Sequence, residues 1–243
     1  MRTEQSEALT RGAGRVRLSS PNYLVLKPLG EQLAARAAEV GQLKPMPDVL
    51  DIGCGPKPYE ALFSRYGGNY WGIDISKRTK ADVLAPMERL PVRDCAVDII
   101  VCTQVLQSCR QPLRALIEMR RVLRPSGILL LSTHGTWLRD PGIADYWRWT
   151  DEGLRLASEE AGYDVLEVLP NGGIVACLTY LTVSALSGLS YQSRLLAPIR
   201  WLLVPVMNLL GETFDGTVNR LSPSSSCLLV GNYLLVARRP SDK

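Results

Sequence analysis

Residues 49–59 (VLDIGCGPKPY) place a short apolar run directly before a glycine-containing turn. An apolar run bounded by turn residues predicts a buried strand. The Gly-x-Gly that follows lets the backbone turn sharply and approach a ligand without interference from a Cβ atom. A dinucleotide-binding loop would carry a third glycine, but Pro58 stands at that position and Pro56 also intervenes. Because neither proline has the amide N–H that a diphosphate would use, the loop favours a ligand without phosphate.

Two carboxylates accompany this glycine turn. Asp51 lies two residues before Gly53, and Asp74 ends the next predicted strand, 19 residues beyond Gly55. A carboxylate at that second position can accept hydrogen bonds from both hydroxyls of a ribose, which would suit NAD as well. Asp51 favours instead a cofactor whose amino-acid end carries a positive charge. The alternative is that the two glycines only let the backbone turn and bind no ligand.

Beyond the turn, strand-like segments alternate with helical patterns. Helices are predicted over residues 23–40, over residues 112–124, and over residues 151–161 with Thr150 as the N-cap. The predicted strands are residues 48–52, 70–75, 82–85, 98–102, 128–132, 163–169 and 228–238. This alternation predicts an α/β fold of the Rossmann-like kind, with a seven-stranded, mostly parallel sheet flanked by helices.

The final third of the chain contains long uncharged stretches. Residues 168–193 carry no charged side chain, and a second apolar stretch covers residues 201–211. We predict one domain over residues 21–243 after a flexible arm of residues 1–20, with residues 171–226 as an apolar helical insertion before the last strand.

This insertion has two interpretations. Residues 174–190 are short for a spanning helix, which needs about 20 predominantly apolar residues. A buried helix, a wall of the acceptor pocket or a homodimer interface is therefore the leading interpretation. The alternative is peripheral membrane contact through residues 174–211, with Arg194 and Arg200 at the lipid headgroups and Trp201 at the interface.

Composition excludes several other classes of protein. The net charge of +4 is too small for the concentrated basic face of a nucleic-acid-binding protein. The six cysteines form no C-x-x-C pair and have no histidine at metal-ligand spacing, so no metal site is predicted. The first residues contain no apolar signal segment. Together these features predict a cytoplasmic location, with membrane association if the insertion meets lipid.

Three ordered segments of the chain resemble the class I S-adenosylmethionine-dependent methyltransferases. The first is DIGCG with an aspartate one strand later; the second, RLPVRDCAVDIIV at residues 89–101, is similar to the family's "LPF…FD" segment. The third, EMRRVLRPSGILLLS at residues 118–132, is similar to its "E…RVLKPGG" segment. DYWRWTDEGL at residues 145–154 is further similar to the methyltransferase type 11 subgroup, which is often associated with tailoring of sugars, surface polysaccharides or natural products.

The resemblance covers about residues 45–170 and implies S-adenosylmethionine as the cofactor. The glycine turn would line its methionine end, the carboxylate after the second strand would bind the ribose, and the isoleucine that follows would pack against the adenine. The residues implied in this pocket are Asp51, Gly53, Cys54, Gly55, Asp74, Ile75, Met87 and Thr103. Many members carry an acid where this chain has Pro86, so adenine recognition would rest on backbone groups and apolar packing.

The acceptor is expected beyond the carboxyl ends of the strands, where open α/β sheets bind their ligands. His134 lies two residues past the strand predicted to end at Ser132 and is the candidate general base for a hydroxyl acceptor. A surface histidine is the alternative. Gln104 and Gln107, which follow the fourth predicted strand, are candidate substrate contacts.

A second group of acceptor candidates lies in the loop at residues 145–150. Tyr146 and Arg148 could contact the substrate from a lid, with Arg148 binding a carboxylate or phosphate. The alternative is that Arg148 pairs with Asp145 or Asp151 and orders the loop, while the neighbouring tryptophans belong to the core.

These observations predict a methyltransferase that acts on an oxygen of a small molecule or of a glycan or natural-product acceptor. Two alternatives stay open. A non-catalytic scaffold would bind S-adenosylmethionine without turnover, and an NAD(P)-dependent oxidoreductase would bind a dinucleotide, although Pro58 disfavours the latter.

Overall fold

A computed structural model describes residues 16–140, 142–192, 197–221 and 228–241. Most of the predicted arm at residues 1–20 lies outside these ranges, as do residues 193–196 and 222–226 of the predicted insertion. The statements that follow concern the described residues.

Seven strands form one sheet in the order β3-β2-β1-β4-β5-β7-β6. Neighbours from β3 to β5 are parallel, whereas β7 runs antiparallel to both β5 and β6. The strands are β1 (Val49–Ile52), β2 (Tyr70–Asp74), β3 (Val83–Leu84), β4 (Val97–Thr103), β5 (Leu123–His134), β6 (Asp164–Pro170) and β7 (Asn232–Arg238). The predicted fold class is confirmed.

Helices cover both faces of this sheet, as its buried central strands require. They are α1 (Tyr23–Leu43), α2 (Glu60–Ser64), α3 (Pro112–Val122), α4 (Asp151–Glu160), α5 (Ile174–Gln192) and α6 (Ala197–Leu221). The predicted cap of α4 is confirmed, because Thr150 Oγ1 accepts a hydrogen bond from the Gly153 amide at 3.0 Å.

Successive residues of β5 belong to two different hydrophobic clusters. Leu129 and Leu131 pack in the same cluster as Met119 of α3, while Leu130 packs with Leu29 of α1. This alternation follows from the strand geometry, in which neighbouring side chains point to opposite faces.

The longest strand, β5, differs from its prediction. It begins at Leu123, which pairs with Val97, and continues to His134, which pairs with Asn232 of β7. The prediction over residues 128–132 was too short because apolar character marks only the part of the strand that is buried on both sides. His134 is therefore the last residue of a strand, and α3 ends at Val122 because the next two residues already belong to β5.

The order of the strands creates a ligand crevice. The chain leaves β1 toward β2 and β3 at one edge and then returns to place β4 on the other side of β1. Ligands of doubly wound sheets bind beyond the carboxyl ends of the strands at such a switch point. The carboxyl ends of β1, β4 and β5 therefore frame the candidate site.

The predicted insertion between β6 and β7 consists of α5 and α6, two helices in contact with each other. In the part of the chain that the structure covers, no helix combines the length and hydrophobicity that a transmembrane span requires.

Asp98 connects the start of β4 to the end of α1 and to β5. These contacts lie away from the crevice. The Asp98 carboxylate accepts hydrogen bonds from the Asp48 amide at 2.9 Å, from Arg124 at 2.6 Å and from Lys44. Burial alone would raise the pKa of Asp98, but the bonds from Arg124 and Lys44 outweigh it and hold the pKa below its usual value. These contacts give Asp98 a structural role at the start of the strand.

Replacing Asp98 by asparagine is expected to lower the free energy of unfolding by about 2 kcal/mol, the typical contribution of hydrogen bonds to a charged group. The carboxylate stabilises the fold above about pH 4 and loses this effect as the pH falls through its folded pKa. Urea unfolding should therefore separate the two proteins near neutrality and bring them together in acid. The exposed Glu160 replaced by glutamine provides the control, and an equal difference at both pH values would contradict the ion-pair assignment.

Candidate active site

The two glycines of the turn after β1 have different roles. Both adopt left-handed backbone angles, with φ of +69° at Gly53 and +51° at Gly55. A Cβ atom on Gly53 would lie 2.2 Å from Val105, so its missing side chain makes room for packing inside the protein. A Cβ on Gly55 would have no atom within 4 Å among the described residues. Gly55 is therefore the residue that exposes backbone to open space where a ligand fits.

Asp74 supports the same turn from the end of β2. One carboxylate oxygen accepts the Gly55 amide at 3.0 Å and the other accepts the Ser76 amide at 2.8 Å. A carboxylate offers about four lone-pair sites, so acceptor capacity remains for ligand hydroxyls. Ile75, which follows it, is 77% exposed and presents an apolar surface beside the carboxylate. This combination fits a ribose with an attached aromatic base.

Asp51 lies beneath the turn and is 1% exposed. The Tyr70 hydroxyl donates a hydrogen bond to its carboxylate at 2.7 Å. Burial raises the pKa of Asp51 to about 7, although the Tyr70 hydrogen bond and the nearby Lys57 oppose that rise. The carboxyl group is thus poised between its two protonation states near neutral pH, and a cation placed beside it would favour the ionised form.

Lys57, the basic side chain of the turn, is bound to a carboxylate. Lys57 donates a hydrogen bond to Asp82 at 2.6 Å, and Asp82 also accepts the Gly72 amide at 2.7 Å. The Lys57 ammonium is therefore paired with Asp82, a third carboxylate besides Asp51 and Asp74. With Asp51 ionised, the charges that act on the neighbouring Cys54 are the carboxylates of Asp51, Asp74 and Asp82 and the ammonium of Lys57, an arrangement that suits a cationic ligand.

The side chains of the other three residues implied in the cofactor pocket are buried or half-buried. The Cys54 side chain is buried, and its Sγ would lie 2.6 Å from a Cβ on Gly72. Met87 is buried in the hydrophobic cluster, and Thr103 is half-buried at the end of β4. Contact of these three residues with a cofactor stays a prediction.

His134 belongs to a stack of three rings at the end of β5. Its imidazole lies 4.1 Å from the Trp137 ring, centroid to centroid, with an angle of 11° between the planes. Trp137 in turn stacks on Tyr180 of α5 at 4.3 Å. The stack connects the candidate base to the helical insertion. The prediction that His134 acts as a base is untested by this geometry.

Two buried polar atoms at this end of the sheet have no hydrogen-bond partner among the described residues. They are Nδ1 of His134 and Nε1 of Trp149, and the two residues are linked by a hydrogen bond from the Trp149 amide to the His134 carbonyl at 2.9 Å. Leaving a buried polar group unpaired costs about 1–3 kcal/mol. A site with such groups therefore fits a polar ligand that supplies the missing partners.

The charge state of His134 follows from its surroundings. Burial, and after it the nearby Arg148 guanidinium, lower the pKa of His134 to about 3. The imidazole therefore stays neutral at physiological pH, and its unprotonated nitrogen can accept a hydrogen bond from an acceptor hydroxyl.

Of the two interpretations of Arg148, the structure contains the ion pair with Asp145. Arg148 donates to both oxygens of Asp145 in a fork, one of the bonds at 2.7 Å, and its Nε donates to the Trp137 carbonyl at 3.3 Å. The arginine hydrogen bonds hold the pKa of Asp145 below its usual value. Tyr146 is 51% exposed beside this pair. Binding of a substrate anion by Arg148 stays a prediction and would require exchange of partners.

The two candidate glutamines also have partners within the protein. Gln104 Nε2 donates to Ser132 Oγ at 2.9 Å and to Asn232 Oδ1 at 2.6 Å. Gln107 Nε2 donates to the Gln104 carbonyl at 2.7 Å, and its Oε1 accepts from Thr133 Oγ1 at 3.2 Å. These bonds connect the carboxyl ends of β4 and β5 and the start of β7. Direct substrate contact by either glutamine stays a prediction.

Sequence reasoning missed the aromatic partners of His134. Trp137 is three residues along the chain, and its spacing alone gave no indication of stacking. Tyr180 lies in the insertion, so only the tertiary fold brings it to the site. The run of aromatic residues around Trp149 was the one available signal.

Comparison with known proteins connects this arrangement to one family. A family model described as a methyltransferase domain, type 11, matches residues 50–131. The chain is 28% identical over 156 residues to a malonyl-(acyl-carrier protein) O-methyltransferase of Serratia marcescens, covering 60% of this chain and 58% of the relative. The enzyme of the same name from Erwinia billingiae is 31% identical, with 55% and 56% covered. The chain thus spans slightly more than half the length of these curated relatives.

Solved structures show the same fold at lower sequence identity. The (4+2)-cyclase SpnF superposes with a TM-score of 0.56 at 21% identity, covering 89% of this chain and 83% of its own. An S-adenosylmethionine-dependent methyltransferase from Mesorhizobium loti superposes with a TM-score of 0.51 at 15% identity, covering 85% and 98%.

Proposed function

We propose that this chain, whose residues 50–131 match a methyltransferase family model, is an S-adenosylmethionine-dependent enzyme that transfers a methyl group to an oxygen of a small-molecule, glycan or natural-product acceptor. The observation that carries the proposal is the unpaired Nδ1 of His134 at the end of β5. β5 lies two strands from the glycine turn of β1, with β4 between them. An acceptor hydroxyl bound to this nitrogen would lie in the crevice that the cofactor site borders.

The geometry of the turn supports a role for each cofactor residue. Asp74 would accept the ribose hydroxyls, Ile75 would pack against the adenine, and Asp51 would face the cationic amino-acid end. When bound, S-adenosylmethionine supplies a methyl group on a positively charged sulfur; an acceptor oxygen forms the new C–O bond while the electron pair of the C–S bond stays with sulfur. The neutral His134 would accept a hydrogen bond from the hydroxyl and orient it, the stacked Trp137 would fix the imidazole, and the proton would leave to solvent, because an imidazole with a pKa of about 3 does not keep it.

The relatives named as O-methyltransferases support an oxygen acceptor. The unpaired polar atoms of His134 and Trp149 support an acceptor that forms hydrogen bonds. A structural neighbour named as a cyclase has the same fold, so the fold alone does not fix the reaction. A protein that binds S-adenosylmethionine without methyl transfer is therefore the competing function, and homodimerisation stays a prediction.

A transfer assay tests the proposal directly. The full chain would be incubated with S-adenosylmethionine carrying a trideuteromethyl group and with separate pools of sugars, carboxylic acids, acyl thioesters and phenols. We expect a product with the labelled methyl on oxygen, identified by mass spectrometry. Binding of S-adenosylhomocysteine with no labelled product from any pool would favour the non-catalytic alternative.

The pKa of Asp51 leads to a prediction about cofactor binding. Because the carboxyl group titrates at about pH 7 and only its ionised form attracts the amino group of the ligand, affinity for S-adenosylhomocysteine should fall as the pH drops below that value, by up to about tenfold per pH unit. Asp51 replaced by asparagine should bind more weakly at neutral pH and show a flat profile. Calorimetry over this range measures both, and parallel profiles for the two proteins would contradict the assignment.

A further inference from the structure

Helix α6 is oriented with its polar side toward the protein. Its inward face carries Asn208, Glu212, Asp215 and Asn219, at the three- and four-residue spacing of one helical face. Asn208 is fully buried and Asp215 is 6% exposed. A helix on the surface of a water-soluble protein normally has the opposite orientation, with its apolar stripe toward the core.

Specific hydrogen bonds fix this orientation. Asn208 Nδ2 donates to the carbonyls of Leu18 at 2.7 Å and Ser20 at 2.9 Å, and Asp215 accepts the amides of Gly173 and Ala176 at 2.9 and 3.0 Å. Glu212 also accepts from Tyr23 at 2.8 Å and from Lys27 of α1. Turning the apolar side of α6 inward would break all of these contacts.

The outward side of the insertion is apolar. We define the apolar face as the side chains of α5 and α6 that are 41–71% exposed, namely Leu178, Leu186, Trp201, Leu202, Leu203, Val206, Leu209, Leu210 and Phe214. A groove of about 370 Å³ lies between the two helices, with Val175 and Thr179 on one side and Met207 and Phe214 on the other. A contiguous apolar surface of this kind marks an interaction site rather than a surface adapted to water.

The chain segment that carries most of the apolar face has only positive charges in its sequence. Residues 174–211 contain no Asp or Glu, and their charged residues are Arg194 and Arg200. Arg17 is exposed on the segment that Asn208 binds to α6, and Arg2, Arg11 and Arg15 precede it in the sequence. An apolar helix surface flanked by cations is typical of segments that lie in the interface of anionic membranes.

We propose that the apolar face binds the surface of a lipid bilayer that contains anionic phospholipids, with α5 and α6 lying in the interface. A second copy of the chain fits less well. A two-fold interface must be complementary to itself, and residues 174–211 offer cations without any carboxylate to pair with them. The surface that complements this face is both apolar and negatively charged.

Vesicle flotation tests this surface without depending on methyl transfer. The full chain would be mixed with vesicles of phosphatidylcholine alone or of phosphatidylcholine and phosphatidylglycerol in equal parts. The test variant replaces Val206 and Leu210 by glutamate, two side chains one helical turn apart that are 48% and 50% exposed. The matched control replaces Leu113 and Ile117 on α3, also one turn apart and 40% and 49% exposed. Both pairs reach solvent, so both variants should fold, and affinity for S-adenosylhomocysteine verifies this.

We expect the wild type and the α3 control to float with the anionic vesicles. The α6 variant should bind at least about tenfold more weakly, since each apolar side chain withdrawn from lipid lowers partitioning by roughly that factor. Salt near 1 M, where the Debye length is about 3 Å, should weaken binding of the wild type. Wild-type protein that floats with neither vesicle, or equal flotation of the two variants, would overturn the proposal. A dimer in sedimentation that only the α6 variant dissociates, without flotation, would assign the face to a second copy.

Discussion

Asp74 replaced by alanine is expected to bind S-adenosylhomocysteine about hundredfold more weakly than the wild type, or worse. Two ribose hydroxyls donating to a charged carboxylate contribute roughly 1.5–3 kcal/mol each, and every 1.4 kcal/mol corresponds to about tenfold in affinity. The variant also removes the group that accepts the Gly55 amide at 3.0 Å, so the turn loses part of its support. Isothermal titration calorimetry measures the loss.

The control for this variant is Asp94 replaced by alanine. Asp94 lies before β4, at the amino ends of the strands and so opposite to Asp74, and its side chain is 73% exposed. Its removal should leave cofactor affinity unchanged. Thermal unfolding separates a binding defect from a loss of fold, because the Asp74 variant should keep a cooperative transition. A folded Asp74 variant whose affinity for S-adenosylhomocysteine lies within about threefold of the wild type, a difference of less than 1 kcal/mol in binding free energy, would contradict the ribose contact.

His134 replaced by alanine is expected to lower kcat by about 100-fold, the loss that follows when a reacting group is no longer held in position. Affinity for S-adenosylhomocysteine should stay the same, since the proposed role of His134 is to contact the acceptor and not the cofactor. Phenylalanine at this position keeps a ring against Trp137 but has no nitrogen. The phenylalanine variant should therefore lose as much activity as the alanine variant. Wild-type turnover in the phenylalanine variant would assign His134 to the aromatic stack alone.

The pH dependence of kcat gives a second readout for His134. Because burial lowers its pKa to about 3, the imidazole is already neutral throughout the physiological range. At saturating cofactor, the wild-type rate should therefore show no titration near 6.5, the ordinary pKa of histidine. A rate that falls with that pKa as the medium is acidified would mean that His134 is accessible to water in the working enzyme.

The parts of this site that sequence could predict depend on residues close together in the chain. The apolar run before Gly53 identifies β1, the position of Asp74 identifies the end of β2, and the alternation of strands and helices identifies the sheet. The different roles of Gly53 and Gly55 were not predictable, because Val105, which occupies the space beside Gly53, belongs to a loop some 50 residues later.

Long-range packing explains what sequence did not predict. Arg148 had two plausible partners in the sequence, and only the fold brings both oxygens of Asp145 to its guanidinium. The orientation of α6 was equally hidden, because its polar residues follow the same helical spacing whether they face water or the protein. Contacts with Leu18 and Ser20 at the other end of the chain decide that they face inward.

Whether the site binds S-adenosylmethionine or a dinucleotide is tested most directly by a pair of titrations, one with S-adenosylhomocysteine and one with NAD. Tyr23 and Lys27 have the Tyr-x-x-x-Lys spacing of a dehydrogenase pair, but both side chains bind Glu212. The turn after β1 has prolines in place of phosphate-binding amides, and its carboxylates favour a cationic ligand. We expect the wild-type chain to bind S-adenosylhomocysteine, Asp74→Ala to weaken this binding about hundredfold or more, and NAD to show no measurable binding. Preferential binding of NAD by the wild-type chain would contradict this expectation.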